Sequence, residues 1–158
     1  MGRRRLAREI ALQALYVADV SGTPADEAFA VVTRREDDAP DPETLEFARA
    51  LALGALERRD ELDGLIQQRA QNWAMNRMAA VDRNVLRLAA YELVARPDTP
   101  LGVVIDEAIE IVRKYSTEEA TRFVNGILDA LKALRGDAKP PKSKKPKAKK
   151  NEPEPEKP

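Results

Sequence analysis

The sequence predicts an all-α protein of about seven helices, followed by a disordered C-terminal tail. Three observations carry the helical reading. Apolar residues recur at three- and four-residue spacing along most of the chain, and no stretch sustains the period-two alternation of a half-buried strand. Glycine, proline and short polar residues cut that pattern into helix-length pieces, at Ser21-Gly22, Thr23-Pro24, Pro42 and Pro97–Pro100. Aromatic residues are only 4% of the chain, so the core must be built from aliphatic residues and alanine, which lets helices approach closely.

The first helix spans about residues 3–20, with Leu6, Ile10, Leu15 and Val17 at helical spacing and Ala7, Ala11 and Ala14 between them. Thr23 as N-cap, Pro24 at the first helical position and Asp26 completing a box-like pattern start a short second helix that ends near Arg35. Asp37 to Pro42 is an acidic, proline-broken loop. A third helix begins near Pro42-Glu43 and carries Leu45, Ala48, Leu51, Ala52, Ala55 and Leu56. Asp60 and Asp63 restart the chain as a fourth helix that ends near Trp73. The fifth, about residues 78–95, places Val81, Val85, Leu88, Ala89, Glu92 and Leu93 on one spacing. Pro97-Asp98-Thr99-Pro100 caps a sixth helix of about residues 101–115, and Ser116 with Glu119 makes a capping box for a seventh that ends at Gly136.

The 158 residues suffice for one domain with a real core, taken as residues 1–136. The tail, residues 137–158, is rich in lysine and proline and cannot bury enough apolar surface to order itself. The chain has neither cysteine nor histidine, which removes thiol nucleophiles, Ser-His triads and zinc sites built on those residues. No metal or other cofactor is expected. No apolar run approaches the ~20 residues of a membrane span, and no signal-peptide pattern precedes the first helix. A twin-arginine export signal is opposed by Glu9 and Asp19. These features read as a soluble cytoplasmic protein.

The formal net charge of zero hides a segregation: the tail holds eight lysines and four acids, which leaves 19 basic and 23 acidic residues in the body. Four of those 19 basic residues, Arg3, Arg4, Arg5 and Arg8, are packed into the start of the first helix. Cations oppose the partial positive charge of a helix N-terminus by roughly 0.3–1 kcal/mol each, so an anionic partner is the simplest reason to keep four there. Arg4 and Arg8 share a face at i,i+4, and guanidinium forks at that spacing suit phosphate oxygens and stack on bases. The bland alternative is a solvated basic chain start.

Four stretches in order carry a family resemblance: Arg3-Arg4-Arg5-Leu6-Ala7-Arg8-Glu9-Ile10-Ala11-Leu12-Gln13-Ala14-Leu15-Tyr16, Val81 to Leu93, Val104 to Glu110, and Arg122-Phe123-Val124-Asn125-Gly126-Ile127-Leu128-Asp129. Over about residues 3–135 the chain resembles the NusB family of bacterial transcription antitermination factors. The resemblance implies two packed three-helix bundles with the arginine-rich helix on the surface. It implies binding of single-stranded boxA RNA together with the ribosomal protein NusE, within the RNA polymerase antitermination complex that reads through terminators on ribosomal RNA operons. Carried over by position, Arg3, Arg4, Arg5, Arg8, Gln13 and Phe123 would meet RNA, and Tyr16, Asp82, Glu119 and Arg122 the protein partner. The same module occurs fused to ribosomal RNA methyltransferases, but no catalytic domain accompanies it here, so no enzymatic activity is expected. The other readings are a non-catalytic scaffold and a regulatory module related to those methyltransferases.

Several of these residues have a second reading. Phe123 either stacks a base or packs in the core. Asp82 either pairs with a basic partner or favours its own helix dipole. Gly126, which costs roughly 1 kcal/mol relative to alanine inside a helix, either permits a close approach or is merely tolerated. Asp106, Glu107 and Glu110 form an acidic face, read as solvated.

Overall fold

The computed structural model describes residues 2–34 and 39–136. Seven helices of nine or more residues account for most of them: α1 (Arg3–Ser21), α2 (Ala25–Thr33), α3 (Pro42–Glu57), α4 (Arg59–Arg69), α5 (Ala80–Ala95), α6 (Leu101–Tyr115) and α7 (Glu118–Leu131), with a 3-10 turn at Met75–Arg77 and a four-residue α8 (Ala133–Gly136). No strand occurs among the described residues. The disorder expected of residues 137–158, and the expected end of the second helix at Arg35, lie outside the described residues.

The amphipathic stripes assemble as the pattern requires. α6 buries Val104, Ile105, Ala108, Ile111 and Val112, and α7 buries Val124, Ile127, Leu128 and Leu131. α1 packs on α2 and α3, while α5 packs on α4, α6 and α7; α1 and α3 also meet α5, which joins the two bundles into one core. α1 is therefore flanked on both sides, and Ala7 to Leu12 are all buried. At Gly54 of α3 a Cβ would overlap the Tyr91 ring of α5, so only glycine permits this approach.

Helix ends differ in detail from the sequence reading. α1 stops at Gly22 in the left-handed region, φ +72°, as the Ser21-Gly22 signal implies. Thr23 does not cap α2: Pro24 holds the cap position without a side-chain bond, and the Thr23 hydroxyl pairs with that of Ser21 at 2.6 Å. α3 starts on an Asp41 cap, whose carboxylate accepts from the Thr44 amide at 2.8 Å. α7 is capped by Thr117 rather than Ser116, its hydroxyl accepting from the Ala120 amide at 2.9 Å; Ser116 closes α6 instead. α4 ends at Arg69, short of Trp73, because the Gln67 side chain takes over the next backbone groups: its amide donates to the carbonyls of Ala70 and Trp73 and its oxygen accepts from the Met75 amide. The seventh helix breaks at Lys132, and α8 swings Arg135 onto the carbonyls of Glu92, Leu93, Arg96 and Thr99, satisfying the C-terminal end of α5.

Candidate nucleic-acid and partner surfaces

The four N-terminal arginines have different fates. Arg3 is exposed and stands 3.4 Å from Asp41 and 3.3 Å from Glu43. Arg4 lays its guanidinium over the Phe47 ring, 3.9 Å from the centroid, and is also exposed. Among the described residues no carboxylate lies within ion-pair distance of Arg4. With Gly2, Ala7, Glu43, Thr44 and Phe47, Arg3 and Arg4 line an open cleft of about 230 Å³. Arg5 is half-buried and grips Glu107 with two hydrogen bonds, at 2.7 and 2.8 Å; the hydrogen bond holds the Glu107 carboxyl below its ordinary range and raises Arg5.

Arg8 departs from expectation. It does not lie on a solvated face but is 4% exposed, with the Nε and Nη2 edge of its guanidinium donating to both carboxylate oxygens of Glu92 of α5 at 2.7 and 2.9 Å. The cause is the position of α1 between its neighbours: one turn past Arg4 the helix has no solvent side left. The acidic face on α6 is not wholly solvated either, since Glu107 belongs to Arg5.

Gln13 and Tyr16 come together on a second surface. With Leu12, Val17, Val32, Val81 and Tyr115 they line an open, mainly apolar groove of about 370 Å³ where α1, α2, α5 and α6 meet. Tyr16 is 41% exposed there. Tyr115 anchors one wall by donating its hydroxyl to Glu9 at 3.0 Å, and Lys114 reaches the same carboxylate at 3.0 Å. Burial, then Glu9, pushes the Tyr115 hydroxyl up in pKa. Asp82 follows Val81 of this groove but is itself 6% exposed, and its Oδ1 has no hydrogen-bond partner. Burial pushes its carboxyl up. The rim charge that the sequence suggested is thus a buried carboxylate.

A third surface lies on α7. Glu119 and Arg122 are exposed, and Arg122 comes only within 4.0 Å of Glu118. Phe123 packs partly against the core and meets the Trp73 ring edge-to-face, centroids 5.6 Å apart. Gly126, one turn on, is exposed with no atom within 4 Å of a built Cβ, so it serves no helix crossing.

The candidate residues therefore divide among an N-terminal cleft, an apolar groove and an α7 face. Sequence reasoning missed Glu92, Glu107, Phe47 and Tyr115 as their partners. Glu92 carried a signal, being a charge on the apolar spacing of α5. The other three carried none, because each meets its partner only through tertiary packing.

A family model described as the NusB family matches residues 5–133. The chain belongs to the NusB family. A protein of Elusimicrobium minutum (strain Pei191), named transcription antitermination protein NusB, is 49% identical over 138 residues, covering 85% of this chain and 96% of that one. A protein of the same name from Symbiobacterium thermophilum is 48% identical over 142 residues, covering 85% and 93%. Among solved structures, a chain in a crystal structure of antitermination factors NusB and NusE in complex with dsRNA aligns with a TM-score of 0.76 at 31% identity, covering 83% of this chain and 96% of that chain. The two-bundle, all-α architecture is accordingly that of the NusB family. No described helix is long and apolar enough to cross a membrane.

Proposed function

We propose that this chain is a non-catalytic transcription antitermination factor that binds boxA RNA jointly with NusE in the cytoplasm. One observation carries the reading: a NusB-family fold, of which one solved relative holds NusE and RNA, presents two exposed arginines at its N-terminus, Arg4 over the Phe47 ring and Arg3 beside it in the same cleft. Phe47 holds the Arg4 guanidinium from below, and its exposed side is left to a phosphate or base. The partner reading rests on the apolar groove with Tyr16, flanked by exposed groups in a body whose acids outnumber its bases; such a surface suits a basic ribosomal protein. Arg5, Arg8 and Asp82 serve from beneath. Arg5 and Arg8 fix α1 to α6 and α5, and Asp82 stands behind the groove.

The test uses Arg3→Ala with Arg4→Ala, read by fluorescence anisotropy against single-stranded boxA RNA and a duplex of matched length, with and without NusE. The expected result is an unchanged melting curve, weaker RNA binding, and a salt dependence flatter by about one unit of slope per lost phosphate contact. Wild-type affinity and slope would reject the cleft as an RNA site.

A further inference from the structure

We propose that Trp73, on the loop between α4 and α5 and packed edge-to-face on Phe123 of α7, is a base-stacking platform for single-stranded RNA. The proposal rests on the RNA reading above and adds to it a residue that neither the arginine helix nor α7 supplies. Trp73 is the only tryptophan in the chain, and it is 48% exposed. It ends in solvent on a loop whose backbone is held in place. Its amide donates to the Ala70 carbonyl at 3.0 Å, its carbonyl accepts from Gln67, and the Met75 amide binds the same Gln67 side chain at 2.9 Å. The indole N–H has no partner among the described residues, and the ring touches Phe123 by an edge-to-face contact. That contact fixes the orientation of the indole and leaves much of it uncovered.

The surroundings suit a polyanion with flat bases. Between Asp63 and Asp82 the sequence has no acid, and its two charged residues, Arg69 and Arg77, are cations. Exposed amides of Gln71, Asn72 and Asn76 flank the indole in sequence. On the α7 side Arg122 adjoins Phe123 and makes no pair closer than 4.0 Å. Aromatic rings interleaved with cations and amides are how proteins hold single strands, since every base has a face to stack and the backbone is anionic.

Because Trp73 is the sole tryptophan, its emission reports this one site. The full chain is titrated with end-labelled single-stranded boxA RNA, following tryptophan emission at red-edge excitation and RNA anisotropy in parallel. The expected result is quenching that saturates with the same Kd as the anisotropy. Trp73→Ala should weaken binding by about fivefold to about 150-fold, the range for stacking one base, and leave the salt slope unchanged, since no phosphate contact is lost. Trp73→Phe should recover most of the affinity. It also keeps an aromatic ring against Phe123, which covers the case of an alanine variant that does not fold. Tight RNA binding with unaltered emission, and wild-type affinity in the variants, would overturn the platform and leave the RNA reading standing. Emission that responds to NusE alone, with RNA binding by itself unaffected in Trp73→Ala, would overturn it in favour of a protein contact. Absence of RNA binding by the wild type in anisotropy would defeat the RNA reading and the platform with it.

Discussion

One helical turn separates Arg4 from Arg8, and that turn decides their roles. Arg4 keeps a solvent face over Phe47, whereas Arg8 is desolvated and matched to Glu92 by a two-bond fork. A buried pair of this kind adds little over a well-packed apolar pair, but removing one member leaves an uncompensated charge and costs about 3–5 kcal/mol. Arg8→Ala should therefore unfold the protein at markedly lower urea, as should Glu92→Ala, while the double variant Arg8→Met with Glu92→Leu recovers much of the loss. A double-mutant cycle of Arg8→Met, Glu92→Leu and the two together, read by urea denaturation, tests this; independent, additive losses would deny the coupling. Any loss of RNA binding in Arg8→Ala would then report a damaged fold rather than a missing phosphate contact. The arginine block is visible in the sequence, but the division of labour inside it is not, because burial of Arg8 depends on α5, more than eighty residues away in the chain.

The helices themselves were legible because their apolar spacing is long and regular. α1, α3, α5 and α6 fall within a residue or two of the pattern. Errors concentrated at ends, where one side chain can redirect the backbone. Gln67 ended α4 early, and Thr117 took the cap that Ser116 resembled. Gly54 shows the same limit within a helix. By propensity, alanine there should stabilise α3 by roughly 1 kcal/mol. The Tyr91 ring occupies the space instead, so Gly54→Ala should lower stability by about 1–3 kcal/mol through overpacking. Thermal melting of Gly54→Ala alone and with Tyr91→Leu decides the cause. Removing the ring should turn the alanine from destabilising to neutral or better, and an equal loss in both backgrounds would sink the steric account.

At the scale of the molecule, charged contacts clamp α1 to the second bundle, and their carboxyl groups respond to pH in the direction opposite to the buried Asp82. Asp19 near the end of α1 takes Arg83, Asn84 and Arg87 of α5, and Arg87 also grips Asp63 of α4. Burial pushes the Asp19 carboxyl up, but the hydrogen bonds and charges of those partners outweigh it and hold the pKa below its ordinary 3.8. Glu107, hydrogen-bonded by Arg5, lies below its ordinary 4.5. Both are more acidic folded than unfolded, so their stabilisation is present above those ordinary values and is lost as pH falls through the folded ones. Asp82 runs the other way. Burial raises its pKa above 3.8, so the folded state favours the protonated form, and stability is lost as pH rises through the raised value. Two outcomes follow for melting temperature against pH. The wild type should lose stability as pH falls below the ordinary carboxyl range and through the lowered values of Asp19 and Glu107. Asp82→Asn, which mimics the neutral acid, should melt higher than wild type at pH 7, and the difference should close in acid as Asp82 itself becomes neutral. At its place in the first turn of α5 the carboxylate also gains from the helix dipole, by roughly 0.3–1 kcal/mol at an exposed site. If that gain exceeds the cost of desolvation, Asp82→Asn will melt lower at pH 7, and the buried orphan oxygen will have to be read as favourable to the fold. If the variant melts higher yet binds NusE more weakly, then the carboxylate is kept against stability for the partner's sake.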